Sequence, residues 1–357
     1  MASSSTPSPH LKRVTPATSA RAPATMDAPH VVRPGSVPKA GWLMAEQAQP
    51  TRTIALPRWQ PYALLIVGVS AISTAALLVR LGQDEGAPSL LLAAARLVIA
   101  SLALAPAVFV RHRPALRAVS RRDLFWTALA GLMLGLHFAS WIQSLEYTSV
   151  VNSVVLVTTS PLWVALLSPV FLKEPLHRWT IAGLLLALAG GTLVGLAGDP
   201  GDAAAHPHAM WGNGLALFGA WMIAAYFTIG RRVRTRLNVM VYTWLVYTAG
   251  AGFLIGVIAL GGVQVGGLPG KAYLWMLLMG LIPQLIGHSL LNYALGFLPA
   301  AYVSLIVLGE PIGSGVLAFT LLGEVPAALQ IAGSGLILGG IILATRDRDL
   351  EKNGPEG

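Results

Sequence analysis

Apolar runs recur at short intervals along this sequence, from residue 61 to residue 345. Each run is long enough to cross the hydrocarbon layer of a membrane as a helix, which takes about 20 residues. Only 11% of the residues are charged, whereas a soluble domain carries about 25%. The sequence therefore predicts an all-α integral membrane protein with ten transmembrane helices, over residues 61–79, 88–110, 124–144, 150–172, 179–198, 211–230, 238–262, 272–294, 300–322 and 327–345.

The first 60 residues differ from the rest of the chain. They are basic, rich in Ser, Thr, Pro and Ala, and without apolar periodicity, which is typical of a disordered segment. They also lack the continuous apolar core of a signal peptide. We expect residues 1–60 to be a disordered cytoplasmic tail. The alternatives are a basic arm that binds the membrane surface or a partner, and upstream sequence before a start at Met26 or Met44.

The basic residues predict the orientation of the chain. Of the 24 Lys and Arg residues, 21 fall on one side of the predicted membrane and 2 on the other, and Arg96 lies inside a span. By the positive-inside rule both termini are cytoplasmic, so residues 199–210 are an extracytoplasmic linker and residues 346–357 a cytoplasmic tail. We expect a multi-pass protein of the cell membrane, surrounded by membrane lipids.

Several classes of function have no support in the sequence. No aromatic residues alternate with the arginines and no DNA- or RNA-reading fold accompanies them, so we expect no nucleic acid partner. The sequence has no cysteine, no HExxH or GxSxG pattern and no phosphate-binding loop. We therefore expect neither an enzyme nor an ATP-driven pump, and no cofactor or metal.

An internal repeat relates the two halves of the chain. Residues 160–183 align without a gap with residues 310–333, and His137 aligns with His288 after a slip of one residue. The identical aligned pairs include Pro161 with Pro311, Glu174 with Glu324 and Gly183 with Gly333. An offset of about 150 residues gives each half five spans, so the second half enters the membrane from the opposite side. The sequence predicts two inverted five-helix repeats, 61–198 and 211–345, around a central cavity, an arrangement typical of secondary transporters.

The two halves also resemble a known family. The segments "SLEYTSVVNSVVLVTTSPLWVALLSPVFLKEPLHRWTIAG" and "GHSLLNYALGFLPAAYVSLIVLGEPIGSGVLAFTLLGE" are similar to the two EamA domains of the drug/metabolite transporter superfamily. The resemblance implies ten helices, cytoplasmic termini and export or exchange of small metabolites through a central cavity. One departure is Lys173, at a position where the family often has Gly before Glu.

Glu310 is the main candidate for a functional residue. It lies ten residues after Ala300, which places it about 15 Å deep, near the bilayer centre. An ionised carboxylate facing lipid there costs at least about 2.5 kcal/mol, so we expect Glu310 to face the bundle interior. Pro311 should break the helix beside it, and Pro161 is its counterpart. Glu310 then binds a substrate ammonium, a proton or an ion. The alternative is a neutral side chain that only satisfies the broken helix.

Two polar stripes are predicted to line the cavity from equivalent helices. Residues His137, Ser140 and Trp141 share one face of the third span, and residues Gln284, His288 and Asn292 share one face of the eighth. Either histidine could relay protons near neutral pH. The alternative is that the polar side chains only bond across helices as packing groups.

Further candidates are Arg96 in the second span and Asn152 in the fourth. A cation in the cavity would favour substrates that carry a carboxylate, whereas structural pairing of Arg96 is the competing interpretation. The glycine pairs Gly191 with Gly195 and Gly335 with Gly339 match the small-xxx-small pattern, which suggests close helix approach at a peripheral interface and leaves a homodimer open.

Together these features predict a secondary active transporter that exports a small-molecule substrate, such as an amino acid or a drug-like amphiphile, by alternating access. Proton or ion coupling through Glu310 would then run through one half only, because its counterpart in the repeat is Ser160. The alternatives are a non-transporting membrane scaffold or a lipid-handling protein. A channel has less support, since no selectivity filter is visible.

Overall fold

The part of the chain that the structure describes is helical throughout, apart from turns and short connections. The structure is a computed structural model, and it describes residues 60–148, 153, 156–196, 208–317, 319–320 and 327–353. All of them belong to one unit, Leu56–Gly357. The helices in chain order are α1 (Gln60–Ile72), α2 (Ala75–Asp84), α3 (Ser89–Arg111), α4 (Arg113–Arg117), α5 (Arg121–Tyr147), α6 (Ser160–Leu167), α7 (Arg178–Leu196), α8 (Ala209–Arg234), α9 (Val239–Gly261), α10 (Gly270–Met279), α11 (Ser289–Ala294), α12 (Ala300–Val307), α13 (Glu310–Leu317) and α14 (Ala328–Asn353).

Two π-helical segments interrupt this pattern. Residues Ser168–Leu172 extend α6, and residues Gly280–His288 join α10 to α11. The second segment contains Pro283, which cannot donate a backbone hydrogen bond. Short π-helical stretches inside α-helices are frequent at functional sites.

Seven helical segments among the described residues are long and apolar enough to cross a membrane. They are Ala63–Asp84, Ser89–Arg111, Arg121–Tyr147, Ala209–Arg234, Val239–Gly261, Gly270–Ala294 and Ala300–Leu317. Three shorter apolar helices, Ser160–Leu172, Arg178–Val194 and Ala328–Ala344, lie at the predicted fourth, fifth and tenth spans. The expectation of an all-helical membrane protein is thus met, whereas the count of ten spans stays a prediction.

Some sequence predictions fall outside the described residues. These are the tail up to residue 59, residues 199–207 of the linker, Asn152 and the last four residues. The predicted C-terminal tail begins as a helix, because α14 continues past residue 345 to Asn353.

Short polar residues set two of the helix starts at the loops predicted to be cytoplasmic. The Ser120 hydroxyl accepts a hydrogen bond from the Asp123 backbone N–H at 3.0 Å, and the Asn238 side chain accepts one from the Met240 N–H at 2.9 Å. Such caps satisfy backbone donors that the first helical turn leaves free. Arg236 and Asp123 then join these two loops through an ion pair of 2.7 Å.

Glycines allow α5 and α9 to pack closely in the main core. A Cβ on Gly131 would lie 2.5 Å from the carbonyl oxygen of Val246, and one on Gly250 would lie 2.8 Å from that of Gly131. Around this contact, buried Leu, Ala, Phe and Tyr side chains from α1 to α12 form one continuous cluster. The close packing of α5 against α9 is therefore part of this core.

A second glycine contact joins α7 to α14. A Cβ on Gly183 would lie 2.4 Å from the carbonyl oxygen of Gly340, and one on Gly190 would lie 2.5 Å from that of Gly333. The later residue on α7 thus contacts the earlier residue on α14, so the two helices run antiparallel where they cross. Gly183 and Gly333 are equivalent in the sequence repeat, as are Gly190 and Gly340.

The glycines chosen by pattern are not the ones that bring these helices together. A Cβ on Gly335 would meet nothing within 4 Å, and those on Gly191 and Gly339 would make only ordinary contacts at 3.8 and 3.7 Å. Within the chain, other glycines on the same two helices make the close contact. The expected close approach of these three positions at a peripheral interface stays a prediction.

Three breaks in the helices converge on the interior. They lie at Ser73–Thr74 between α1 and α2, at Thr158–Thr159 before α6, and at Leu308–Gly309 between α12 and α13. The last two are equivalent in the repeat and have the same backbone geometry. The N–H of Thr159 bonds to the carbonyl of Leu156 at 3.2 Å, and the N–H of Gly309 bonds to the carbonyl of Ile306 at 2.9 Å.

Candidate functional site

A cavity of about 170 Å³ lies where the three helix breaks meet. Its walls come from α1, α2, α3, α5, α6, α8, α11, α12 and α13 together with the breaks before α6 and α13 and the end of the second π-helical segment. Seven of the predicted site residues line it, namely Arg96, His137, Trp141, Pro161, His288, Glu310 and Pro311. The remaining lining is mainly aliphatic and aromatic, so the cavity is an apolar space with a few charged and polar groups.

Glu310 is the first residue of α13, at the edge of the break. Its backbone carbonyl accepts a hydrogen bond from the Ser73 hydroxyl at 3.1 Å, and its side chain is half-buried and lines the cavity. Among the described residues, no side chain forms an ion pair with the Glu310 carboxylate. The position at a helix N-terminus favours a negative charge, because the unsatisfied N–H groups of the first turn point toward it.

Arg96 belongs to the first half of the sequence repeat, whereas Glu310 belongs to the second. The Arg96 residue is 1% exposed. Its Nε donates a hydrogen bond to the Gln284 Oε1 at 2.9 Å, and its guanidinium carbon lies 3.7 Å from the centre of the Phe138 ring. Its Nη1 has no partner among the described residues. Gln284 thus holds the Nε edge of the guanidinium, and Phe138 covers one of its faces. The terminal nitrogens have no protein acceptor among the described residues.

The two histidines approach the cavity from α5 and from the end of the π-helical segment. His137 donates from Nδ1 to the carbonyl oxygen of Gly219 at 2.9 Å, because a carbonyl can only accept. Its ring lies parallel to that of Trp141, with centres 6.2 Å apart. His288 meets the Phe138 ring edge-on at 5.2 Å, and its Nδ1 has no described partner.

Three predicted cavity residues are buried but do not line the cavity. The Ser140 hydroxyl donates to the Leu136 carbonyl at 2.7 Å within its own helix. Gln284 is occupied by Arg96, and Asn292 accepts a hydrogen bond from the Tyr226 hydroxyl. The expectation that all three face the cavity was wrong, because periodicity predicts a buried face and this face also packs against α3, α8 and α9.

Phe138 is a residue of the site that no sequence pattern singled out. It is 1% exposed, lines the cavity, and contacts Arg96 and both histidines. An aromatic residue in an apolar span is usually core, so its type carries no signal. The only available hint is its place directly after His137.

The spacing of the polar groups bears on what this site can bind. Among the described residues, no three His, Asp or Glu side chains lie close enough together to hold a metal ion. The charged and polar groups of the cavity are instead spread around an apolar space, which suits binding of an organic molecule.

The fold and cavity define a class of multi-pass membrane proteins, and comparison with known proteins gives the family. A model of the EamA-like transporter family matches residues 59–196 and again residues 210–346. The chain belongs to the EamA-like transporter family, which confirms the resemblance seen in the sequence.

Relatives of this chain are named as transporters. It is 24% identical, over 65% of its length and 80% of the other's, to an uncharacterized transporter of Archaeoglobus fulgidus. It is 27% identical, over 79% of its length and 92% of the other's, to a probable terminal-alkyne amino-acid exporter of Streptantibioticus cattleyicolor. A solved crystal structure matches 81% of this chain and 99% of its own, with a TM-score of 0.67 and 22% identity, which shows a common fold. These findings support a membrane transporter with a small-molecule substrate.

Proposed function

We propose that this protein is a secondary active transporter that exports small metabolites by alternating access. The observation that carries the proposal is the cavity at the helix breaks, with an acidic side chain on its wall. Broken helices are a recurrent way to build a substrate site in transporters, since the break leaves polar groups free at membrane depth. The protein requires no cofactor in this proposal.

The proposal includes two inverted repeats. It is supported by the two family matches, by the equivalent breaks before Ser160 and Glu310, and by the antiparallel crossing of α7 and α14 at equivalent glycines. Two similar halves of opposite orientation can form inward-open and outward-open states of similar energy around one site. Cytoplasmic termini follow from the positive-inside rule.

The substrates we propose are amino acids or drug-like amphiphiles. An amphiphile matches a cavity whose walls are mostly apolar and whose charges stand apart. The name of the exporter from Streptantibioticus cattleyicolor supports an amino acid as the substrate. A scaffold or a lipid-handling protein is the alternative, and the cavity favours the transporter because neither alternative needs charged groups at its centre.

Glu310 is the proposed coupling residue. It lines the cavity and has no ion-pair partner in the described part of the chain. A carboxyl group in such a place can carry a proton in one state of the cycle and release it in the other. His137 is the competing candidate, but its Nδ1 is committed to the Gly219 carbonyl.

Flux measurements in proteoliposomes test the proposal. We expect saturable, substrate-dependent efflux that depends on a pH gradient. Glu310→Gln should abolish the dependence on the gradient, and His137→Ala is the matched variant that should keep it. The absence of any substrate-dependent flux would favour the scaffold, and equal dependence on the gradient in Glu310→Gln would remove the proposed coupling role.

The orientation needs a separate experiment. Because the chain has no cysteine, single cysteines can be introduced in the connections without removing native ones. A cysteine at Ser120, between α4 and α5, should react with a membrane-impermeant maleimide only after the inner side of the membrane is opened. Labelling of Ser120→Cys in intact cells would contradict cytoplasmic termini.

A further inference from the structure

Arg96 has donors that its protein surroundings do not use. The guanidinium carries five N–H donors, and among the described residues only Nε has an acceptor, the Gln284 Oε1 at 2.9 Å. Nη1 has no hydrogen-bond partner although it is buried. A buried guanidinium with unsatisfied donors is costly, so this side chain requires an acceptor in at least one state of the protein.

Glu310 does not supply that acceptor. It is the other charged residue on the cavity wall, yet no Arg96–Glu310 ion pair within 4.0 Å exists in the described structure. The two charged residues therefore line one cavity without forming a direct ion pair. A molecule in this cavity would bring its own oxygen atoms to Arg96.

The contacts of Arg96 also fix its orientation. Phe138 covers one face of the guanidinium, with the ring centre 3.7 Å from the central carbon, and Gln284 holds the Nε edge. Gln284 is itself 0% exposed, and its backbone carbonyl accepts a hydrogen bond from the Tyr247 hydroxyl at 3.1 Å. Because Nε is occupied, the two terminal nitrogens are the pair that would match the two oxygens of a carboxylate. Nη1 is closed to solvent in this structure, so such a pairing requires the cavity to open toward it.

We infer that Arg96 is the anion-binding subsite of the cavity and that the substrate carries a carboxylate or a similar planar oxyanion. Gln284 and Phe138 are positioning residues, which hold the guanidinium and do not touch the substrate anion. The inference rests on the proposed function in that it concerns the same cavity, but it makes a claim about binding that can be measured without transport.

Binding of two probes with the same carbon skeleton tests the inference. The purified full-length protein is titrated with 3-phenylpropionate and with 3-phenylpropan-1-ol, which differ in that a carboxylate replaces a neutral hydroxymethyl group. The aromatic ring suits a cavity lined by Phe138, Trp141 and Phe227. We expect the carboxylate to bind at least about tenfold more tightly than the alcohol, which corresponds to one charge-assisted hydrogen-bonded contact.

Three variants separate a specific role of Arg96 from a structural one. Arg96→Gln should weaken the carboxylate at least about tenfold and leave binding of the alcohol within about twofold. Glu310→Gln removes a negative charge from the cavity and should tighten the carboxylate without changing the alcohol. Gln284→Leu frees the guanidinium and should give a smaller loss for the carboxylate alone, whereas a purely structural role would weaken both probes.

Several outcomes would overturn the inference. These are equal affinities of the wild type for the two probes, no carboxylate binding up to about 10 mM, or a carboxylate preference that persists in Arg96→Gln. The wild-type comparison decides even if Arg96→Gln does not fold. Carboxylate binding without flux would support the anion-binding subsite and contradict the proposed transport function. Flux of neutral or cationic substrates alone would support transport and contradict the subsite.

Discussion

The close contact of α7 and α14 makes a quantitative prediction about stability. In Gly183→Ala the new Cβ lies 2.4 Å from the Gly340 carbonyl oxygen and 3.0 Å from the Ala344 Cβ. Neither neighbour can turn away, because one is helix backbone and the other is the first side-chain atom. The two helices must therefore separate, and overpacking of this kind costs about 1–3 kcal/mol.

A second substitution on the same pair of helices isolates that cost. A Cβ on Gly335 meets nothing within 4 Å, so Gly335→Ala gains only the helix propensity of alanine, about 1 kcal/mol. Gly183→Ala gains the same amount, and the difference between the two variants therefore measures the clash. We expect Gly183→Ala to be less stable than Gly335→Ala by about 1–3 kcal/mol, or about 2–4 °C in melting temperature for each kcal/mol.

Thermal unfolding in detergent, followed by circular dichroism, measures this difference. Both variants should elute like the wild type in size-exclusion chromatography, so that only intact protein is compared. Equal melting temperatures for Gly183→Ala and Gly335→Ala would refute the contact. The antiparallel crossing of α7 and α14 would then no longer support inverted repeats.

Two further predictions concern the side of the molecule that we expect to be cytoplasmic. Arg231 joins the two halves there, because it donates from Nε to Glu174 at 2.7 Å and from Nη1 to the Leu295 carbonyl at 3.2 Å. Glu174→Gln should slow flux several-fold, and the exchange Glu174→Arg with Arg231→Glu should restore it. Unchanged flux in Glu174→Gln would show that the ion pair has no part in the transport cycle. Lys173 has a left-handed backbone conformation with φ 58°. Lys173→Gly should therefore raise the melting temperature, because it removes about 1 kcal/mol of backbone strain. A lower melting temperature would contradict this account.

The charged and titratable residues chosen from the sequence lie at one cavity, and their role in transport stays a prediction. Glu310, Arg96 and the two histidines were chosen because a polar or charged group in an apolar span has to find a polar environment, and the structure brings all four to one cavity. That reasoning depends only on the free-energy cost of burying a charged or polar side chain in a membrane span. The sequence shows directly which apolar spans contain such a side chain.

The same reasoning could not choose among neighbours on one helix face. Gln284 and Asn292 share a face with His288, but they lie against Arg96 and Tyr226 and not at the cavity. The direction of a side chain within a bundle depends on which helix lies beside it, and that follows from tertiary packing. Phe138 was missed for the complementary reason, because an apolar side chain in an apolar span gives no signal.

The break between α1 and α2 was also not predicted. No proline or glycine marks Ser73–Thr74, and the Ser73 hydroxyl bonds to the Val69 carbonyl four residues earlier, at 2.8 Å. Serine is compatible with a regular helix, so its sequence position carries no clear sign of a break. By contrast, the breaks beside Pro161 and Pro311 fall where the rigid ring and the missing N–H of proline disfavour a continuous helix.

The contacts at Ser73 connect two distant parts of the chain. Its hydroxyl shares its one proton between the Val69 carbonyl at 2.8 Å and the Glu310 carbonyl at 3.1 Å. Its own carbonyl accepts a hydrogen bond from the Ser314 hydroxyl at 2.9 Å. The residue that precedes the short helix α2 is thereby bonded to two residues of the short helix α13. Because these bonds join α13 to the residue directly before α2, a shift of the α13 backbone at Glu310 would act directly on the start of α2, the helix that leads to the first loop.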